Sequence, residues 1–278
     1  AYGIGMGTEK IYVFLNPESQ TPFGLHGFVD SRVNGPWGKA LVEELMPYVQ
    51  KNFRGATDPQ LNFLTGQSTG GYSVVWLALN YPGRFGGAWS TAPDPLDFSH
   101  FIGVNLYEDG NYYTGTNGNE RGFNKVRNTF ISTIRKTCLL EIFEGDGGQQ
   151  QSFAAEFGMP GKDGRPVNCF DAQTGKIDKA VVSTWKNYDM SRFVLSNAGK
   201  LKKKLKSPVH IFAGAADNFL LNTSAISFAV KIKNTGLPIR VEEVSGADHF
   251  QVRNSQVSET IQMEIDKQIA AVISKQEQ

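Results

Sequence analysis

The stretch Leu61-Asn62-Phe63-Leu64-Thr65-Gly66-Gln67-Ser68-Thr69-Gly70-Gly71-Tyr72-Ser73 joins two folding patterns at one serine. Leu61 to Thr65 is a short apolar-rich run of the kind that forms a buried strand. Ser73 to Asn80 reads as a helix, which Pro82 stops. Between them stands G-x-S-x-G over residues 66–70. The pattern alone is common in a glycine-rich chain. Its setting, directly after a strand and directly before a helix, is that of a nucleophile elbow. Such a turn strains the serine backbone and favours glycine at 66 and 70, where side chains would meet neighbouring chain. It also lifts the Ser68 hydroxyl off the sheet to a helix N-terminus, whose dipole and free N–H groups favour a developing anion.

Outward from this point the chain repeats the same alternation. Ile11 to Leu15, closed by Asn16-Pro17, reads as an earlier strand. A glycine-rich loop over 24–38 leads to Ala40, Leu41, Leu45, Val49 and Phe53, whose spacing predicts a helix over 38–53. Phe85 to Ser90 is a third strand. Strand, helix, strand, helix, strand is the order of a parallel sheet covered by helices. It resumes with a strand at Pro208–Ala213, a helix at Phe219–Asn234, a strand at Ile239–Val244 and a closing helix at Val257–Ile273. Residues 91–205 interrupt it. There Val126, Phe130, Ile134, Cys138 and Ile142 recur every four residues and predict a long amphipathic helix over 123–144. Glycines and polar residues fill 145–175, and helices follow over 177–186 and 191–205. The expectation is a single α/β domain over 1–278 with five visible strands, mostly parallel, carrying a helical insertion, or lid, at 91–205 between the third and fourth.

Composition excludes several functions. With 28 Lys plus Arg against 27 Asp plus Glu, the net charge of +1 gives no field to hold nucleic acid or an anionic membrane surface. No apolar run reaches the roughly 18 residues of a membrane span. Two cysteines, Cys138 and Cys169, are too few for a disulfide scaffold or a four-cysteine zinc site. They are either bridged to each other or separate thiols. The lysines at 200, 202, 203, 204 and 206 read as a solvated helix end. The chain starts at Ala1 without a basic, apolar leader, so either a leader has been removed or the chain is a fragment.

A serine nucleophile needs a base, and neutral histidine is the usual one. His249 lies just past the last strand, in Ser245-Gly246-Ala247-Asp248-His249-Phe250, where a base can meet Ser68. His210 falls inside a strand as a core residue, His100 belongs to the insertion, and His26 shapes a loop beside Gly27. Asp217, reached from its strand through Gly214-Ala215-Ala216, can orient the far ring nitrogen of His249. It can equally cap the helix that follows. Asp248 is the rival, poorly placed because neighbouring side chains on an extended loop point apart.

Together Gly66-Gln67-Ser68-Thr69-Gly70, Asp217 and Gly246-Ala247-Asp248-His249 resemble the Ser, Asp and His of α/β-hydrolases. The segments His26-Gly27-Phe28-Val29-Asp30-Ser31-Arg32-Val33-Asn34-Gly35-Pro36-Trp37-Gly38, Tyr81-Pro82 with Phe85-Gly86-Gly87, and Ala92-Pro93-Asp94-Pro95 with Asp97-Phe98 are more particular. They resemble the esterase D and enterochelin-esterase-like esterases, a group similar to mycolyltransferases. The resemblance implies an α/β-hydrolase fold and a serine esterase with catalytic Ser68, Asp217 and His249. It implies backbone N–H donors for the oxyanion at Thr69 and Phe28, and neither metal nor organic cofactor. The partner it implies is a small-molecule or polysaccharide-linked ester, feruloyl or acetyl for example, with no nucleic acid and no membrane. An acyltransferase using the same residues and a non-catalytic carbohydrate-binding or partner-binding module are the alternatives. The family's sheet has strands ahead of the one at 11–15, so those strands are expected to be missing, in a separate N-terminal segment, or replaced by pairing in a homodimer.

Overall fold

A computed structural model describes residues 5–18, 21–145 and 148–276, so Ala1 lies outside the described residues. A short hairpin, β1 (Asp30–Ser31) and β2 (Gly35–Pro36), precedes α1 (Trp37–Ala40). A π-helical turn at Leu41–Leu45 joins α1 to α2 (Met46–Asn52), so the predicted helix runs through with one widened turn. Then come β3 (Phe63–Gln67), α3 (Thr69–Asn80) and β4 (Gly87–Thr91). The insertion holds β5 (Gly122–Val126), β6 (Thr129–Thr133), α4 (Ile134–Glu144), α5 (Gln149–Phe157), α6 (Lys179–Trp185) and α7 (Met190–Lys204). The chain closes with β7 (Val209–Gly214), α8 (Leu221–Ile232), β8 (Ile239–Val244) and α9 (Ser255–Gln276).

The central sheet has the order β3-β4-β7-β8, and every neighbouring pair is parallel. Every residue of the inner strands β4 and β7 is buried, whereas the outer strands β3 and β8 are only partly covered. That is the burial expected of a sheet with helices on both faces. The two faces follow the period of two along each strand. Trp89 and Phe212 point to one side and pack with Val257, Ile261 and Ile265 of α9. Ala88, Val209 and Ile211 point to the other, into the larger core that includes Tyr72, Val75 and Leu79 of α3 and Phe228 of α8. Burying one such aromatic stabilises the fold by about 2–3 kcal/mol. His210 is buried in β7 and meets the carboxylate of Glu264 at 3.1 Å, a core residue as its position implied. No helix among the described residues is long and apolar enough to cross a membrane.

Three sequence expectations are corrected. Residues 11–15 form no strand: Ile11 is 56% and Phe14 74% exposed, and only Leu15 packs against the core. A five-residue apolar run carries too little period to separate strand from coil, so the sheet has four described strands and β3 is an edge. The long helix over 123–144 is instead an antiparallel hairpin followed by a shorter helix. Arg127 and Asn128 take left-handed backbone, with φ of 45° and 69°, and make the two-residue turn between β5 and β6. The β-branched Val126, Thr129, Ile131 and Thr133 suit strands, and Thr133 then caps α4 by accepting from Lys136 N. Finally, the polar stretch 145–175 contains α5, whose glutamine-rich start masks the helical run that buries Phe153, Ala154 and Phe157. Cys138 and Cys169 are separate, buried thiols. Burial pushes the Cys138 thiol up to about 12 and raises Cys169 as well, so neither is a ready thiolate at neutral pH.

Candidate active site

All four parallel strands deliver a polar residue to the same, C-terminal edge of the sheet. Ser68 follows β3 directly, Asp94 follows β4, Asp217 follows β7 and His249 follows β8. The carboxyl ends of parallel strands are where α/β folds place their chemistry.

Ser68 sits in a tight strand-to-helix turn with φ 57° and ψ −123°, a conformation that strains any residue but glycine by about 1–3 kcal/mol. Its neighbours hold it there. Ser68 N donates to Thr91 O at 3.0 Å, and the Ser68 carbonyl accepts from Tyr72 N and from Asp94 N at 3.0 and 3.2 Å. A Cβ at Gly66 would overlap the Gly70 carbonyl, which accounts for the first glycine of the motif. Gly70 itself faces open space. The second close approach is at Gly71, where a Cβ would lie 2.8 Å from Thr91 O, so the steric requirement falls one residue later than the motif suggested. Thr69 begins α3, and its N–H has no carbonyl a turn earlier to bond.

Asp217 and His249 form a buried pair, 2% and 5% exposed, with Asp217 Oδ2 3.0 Å from His249 Nδ1. The other carboxylate oxygen accepts from Phe219 N at 2.8 Å and from Leu221 N at 3.2 Å. Asp217 therefore orients the imidazole and caps α8 at once. With Nδ1–H given to Asp217, the lone pair of Nε2 is left for a reacting hydroxyl. The His249 main chain is pinned on both sides, its N–H donating to Asn218 Oδ1 at 3.0 Å and its carbonyl accepting from Gln67 Nε2 at 2.9 Å. The second of these ties the His249 loop to the residue just before Ser68. Asp248 turns away: its Oδ1 accepts from Phe250 N and Gln251 N at 2.9 and 2.8 Å and shapes the turn.

Asp94 and Glu156 escaped the sequence reading. Asp94 is buried and accepts from the Thr69 hydroxyl at 2.7 Å. Burial pushes its carboxyl up to about 6, against the opposing pull of the Thr69 and Ser68 hydroxyls and of His249. Among the described residues no hydrogen bond joins the Ser68 hydroxyl to the His249 ring, whose Nδ1 is held by Asp217. A signal for Asp94 was present, since any acid just past a central parallel strand reaches this edge. Glu156 had none, being a buried position on the unrecognised α5. Its carboxylate lies against the α-carbon of Gly27, Oε1 has no hydrogen-bond partner, and burial followed by the charge of Asp94 holds its acid form well above the usual range.

His26 and Phe28 shape the facing loop. Phe28 has φ 51°, and its N–H donates to His26 Nδ1 at 3.0 Å. The His26 ring is buried and stacked on Trp37 at 4.0 Å, and burial lowers it to about 4, so it is neutral and able to accept. The Phe28 N–H, which the resemblance assigned to an oxyanion, is thus held by an internal acceptor in this conformation.

The buried acid gives a stability prediction. Glu156 has a folded pKa above its ordinary 4.5, so its contribution is complete below about pH 4.5 and is lost as pH rises toward the folded value. Glu156→Gln is therefore expected to raise Tm near pH 8 by roughly 3 °C, the effect of about 1 kcal/mol in a chain of this size, and to lose that advantage near pH 4. Thermal melts of both proteins across this range check it.

A family model described as "Putative esterase" matches residues 30–260. No curated protein matches the chain. Among solved structures, it is similar to the S-formylglutathione hydrolase FrmB of Staphylococcus aureus, with 12% identity, TM-score 0.47, 86% of this chain and 68% of that one. MPT51 (FbpC1) of Mycobacterium tuberculosis gives 14% identity and TM-score 0.47 over 87% and 73% of the two chains. The enterobactin esterase FES of Shigella flexneri gives 13% and 0.39, over 86% of this chain and 39% of its own.

Proposed function

Because the chain belongs to the Esterase family, we propose that it hydrolyses carboxylic esters through an acyl-enzyme on Ser68. The observation that carries this reading is the buried Asp217–His249 pair at 3.0 Å, delivered to the same sheet edge as a strained serine at a helix N-terminus. The Ser68 hydroxyl turns toward His249 Nε2, which takes its proton as Oγ bonds to the ester carbon. The carbonyl oxygen becomes an anion facing the Thr69 N–H. The Phe28 N–H joins it by exchanging His26 Nδ1 for the substrate oxygen. Loss of one such donor costs roughly 3–4 kcal/mol of transition-state stabilisation. His249 next protonates the departing alcohol. Water then repeats the sequence on the acyl-enzyme, giving its proton to His249 and releasing the acid while Ser68 recovers its own.

Substrate choice falls to the insertion at 91–205, whose β5 docks on Asn218 and Phe219 beside His249. The substrate is a small-molecule or polysaccharide-linked ester, and no protein group in the scheme requires a metal or organic cofactor. The test is turnover of p-nitrophenyl acetate, titrated with a fluorophosphonate. One equivalent of label on the peptide bearing Ser68, with activity lost in parallel, is the expected result. Turnover that survives full labelling, or label on another residue, overturns the assignment. Acetyl and feruloyl esters assayed beside it rank the acyl group.

A further inference from the structure

Asn218 stands directly after Asp217 and is buried. Its side chain and carbonyl all bond to two neighbours that sequence reading kept apart. Asn218 Oδ1 accepts from His249 N at 3.0 Å, Nδ2 donates to Lys125 O at 2.7 Å, and the Asn218 carbonyl accepts from Lys125 N at 2.7 Å. Both main-chain groups of Lys125, on β5, are thereby bonded to this one residue. A second hold lies beside it. Phe123 of β5 packs on Phe219 at 5.2 Å, and Phe219 presents its edge to the His249 ring at 5.0 Å. Phe250 closes another side of the ring at 5.2 Å.

This arrangement is more than a helix cap. Asp217 fixes the direction of the imidazole, but the ring's distance from Ser68 depends on where the His249 main chain sits. That main chain has two side-chain anchors, Gln67 on the elbow strand and Asn218 on the hairpin side. The β5–β6 hairpin belongs to the insertion, so whatever seats or unseats it moves one of the two anchors. We infer that Asn218 is a positioning residue that couples the seating of the β5–β6 hairpin to the reach of His249 toward Ser68. The inference rests on the Ser68–His249–Asp217 reading above and deepens it. The insertion then takes part in setting the catalytic geometry as well as bounding the pocket.

Three variants test it with p-nitrophenyl acetate. Asn218→Ala removes both holds of the side chain. Asn218→Asp keeps an acceptor for His249 N but sets a carboxylate oxygen against the Lys125 carbonyl, so it breaks the side-chain half of the hairpin tie and leaves the main-chain bond from Lys125 N. Phe123→Ala removes the aromatic hold. A displacement near 1 Å costs up to about 10²-fold in rate, so Asn218→Ala should lower kcat by about tenfold to 10²-fold with KM within about threefold. Asn218→Asp should lose part of that, and Phe123→Ala combined with Asn218→Ala should be non-additive. Amide hydrogen exchange should show His249 N–H opening faster in Asn218→Ala while the β4 and β7 amides stay protected. If Asn218→Ala melts below the assay temperature, Asn218→Asp decides by the same split. An Asn218→Asp or Asn218→Ala enzyme within twofold of wild type in kcat, while Ser68→Ala is inactive, overturns the coupling and leaves the triad standing. A wild type whose turnover does not depend on Ser68 overturns the triad reading first.

Discussion

Ser68→Ala should lower kcat by about 10⁴- to 10⁶-fold, the loss typical of removing the nucleophile of a unit that works as one. What remains is binding and the Thr69 N–H, which still favour a developing anion without a covalent step. Stability should barely move. Alanine at φ 57° is no more strained than serine, the main-chain bonds of residue 68 to Thr91, Tyr72 and Asp94 are unchanged, and Asp94 keeps its 2.7 Å bond from Thr69. Turnover of p-nitrophenyl acetate and a melting curve, measured on the same preparation, check both halves. Residual activity above about a tenth of wild type would falsify the assignment of Ser68.

Asp217→Asn should lower kcat by about 10⁴-fold, and the structure says why. Asp217 Oδ1 accepts from Phe219 N and Leu221 N, so the amide of an asparagine keeps its oxygen there as the cap of α8. Its NH2 then faces His249 Nδ1 and donates. The ring must carry its proton on Nε2, the wrong nitrogen to receive one from Ser68. Asp248→Asn retains an acceptor for Phe250 N and Gln251 N and should stay within about twofold of wild type. Paired kinetics on the two variants decide between the carboxylates. A larger loss at Asp248 than at Asp217 transfers the orienting role.

The order of chemistry along the chain was legible because it is local. A strand, a glycine turn and a helix are each fixed by neighbours within a few residues, so Ser68 could be placed at an elbow from residues 61–80 alone. Asp217 and His249 followed from the same logic, since the loop after a parallel strand emerges at the edge that holds the elbow. Where a local pattern fitted two structures, the sequence lost its hold. Val126, Phe130 and Ile134 match a helical period, yet β-branched neighbours and the left-handed Arg127-Asn128 turn make a hairpin there, docked on Asn218. Ile11 to Leu15 match a strand but stay largely exposed, because no described strand pairs with them.

By itself, then, the sequence determined the alternating α/β framework, the strained serine, and the loops that carry Asp217 and His249. Only the tertiary structure decided what surrounds them. It set Asp217 rather than Asp248 3.0 Å from His249, bonded Asp94 to Thr69 beside Ser68, buried Glu156 without a partner for Oε1, and gave the Phe28 N–H to His26. Each of these joins residues far apart in the chain or depends on burial, and neither distance nor burial is written in a run of neighbours.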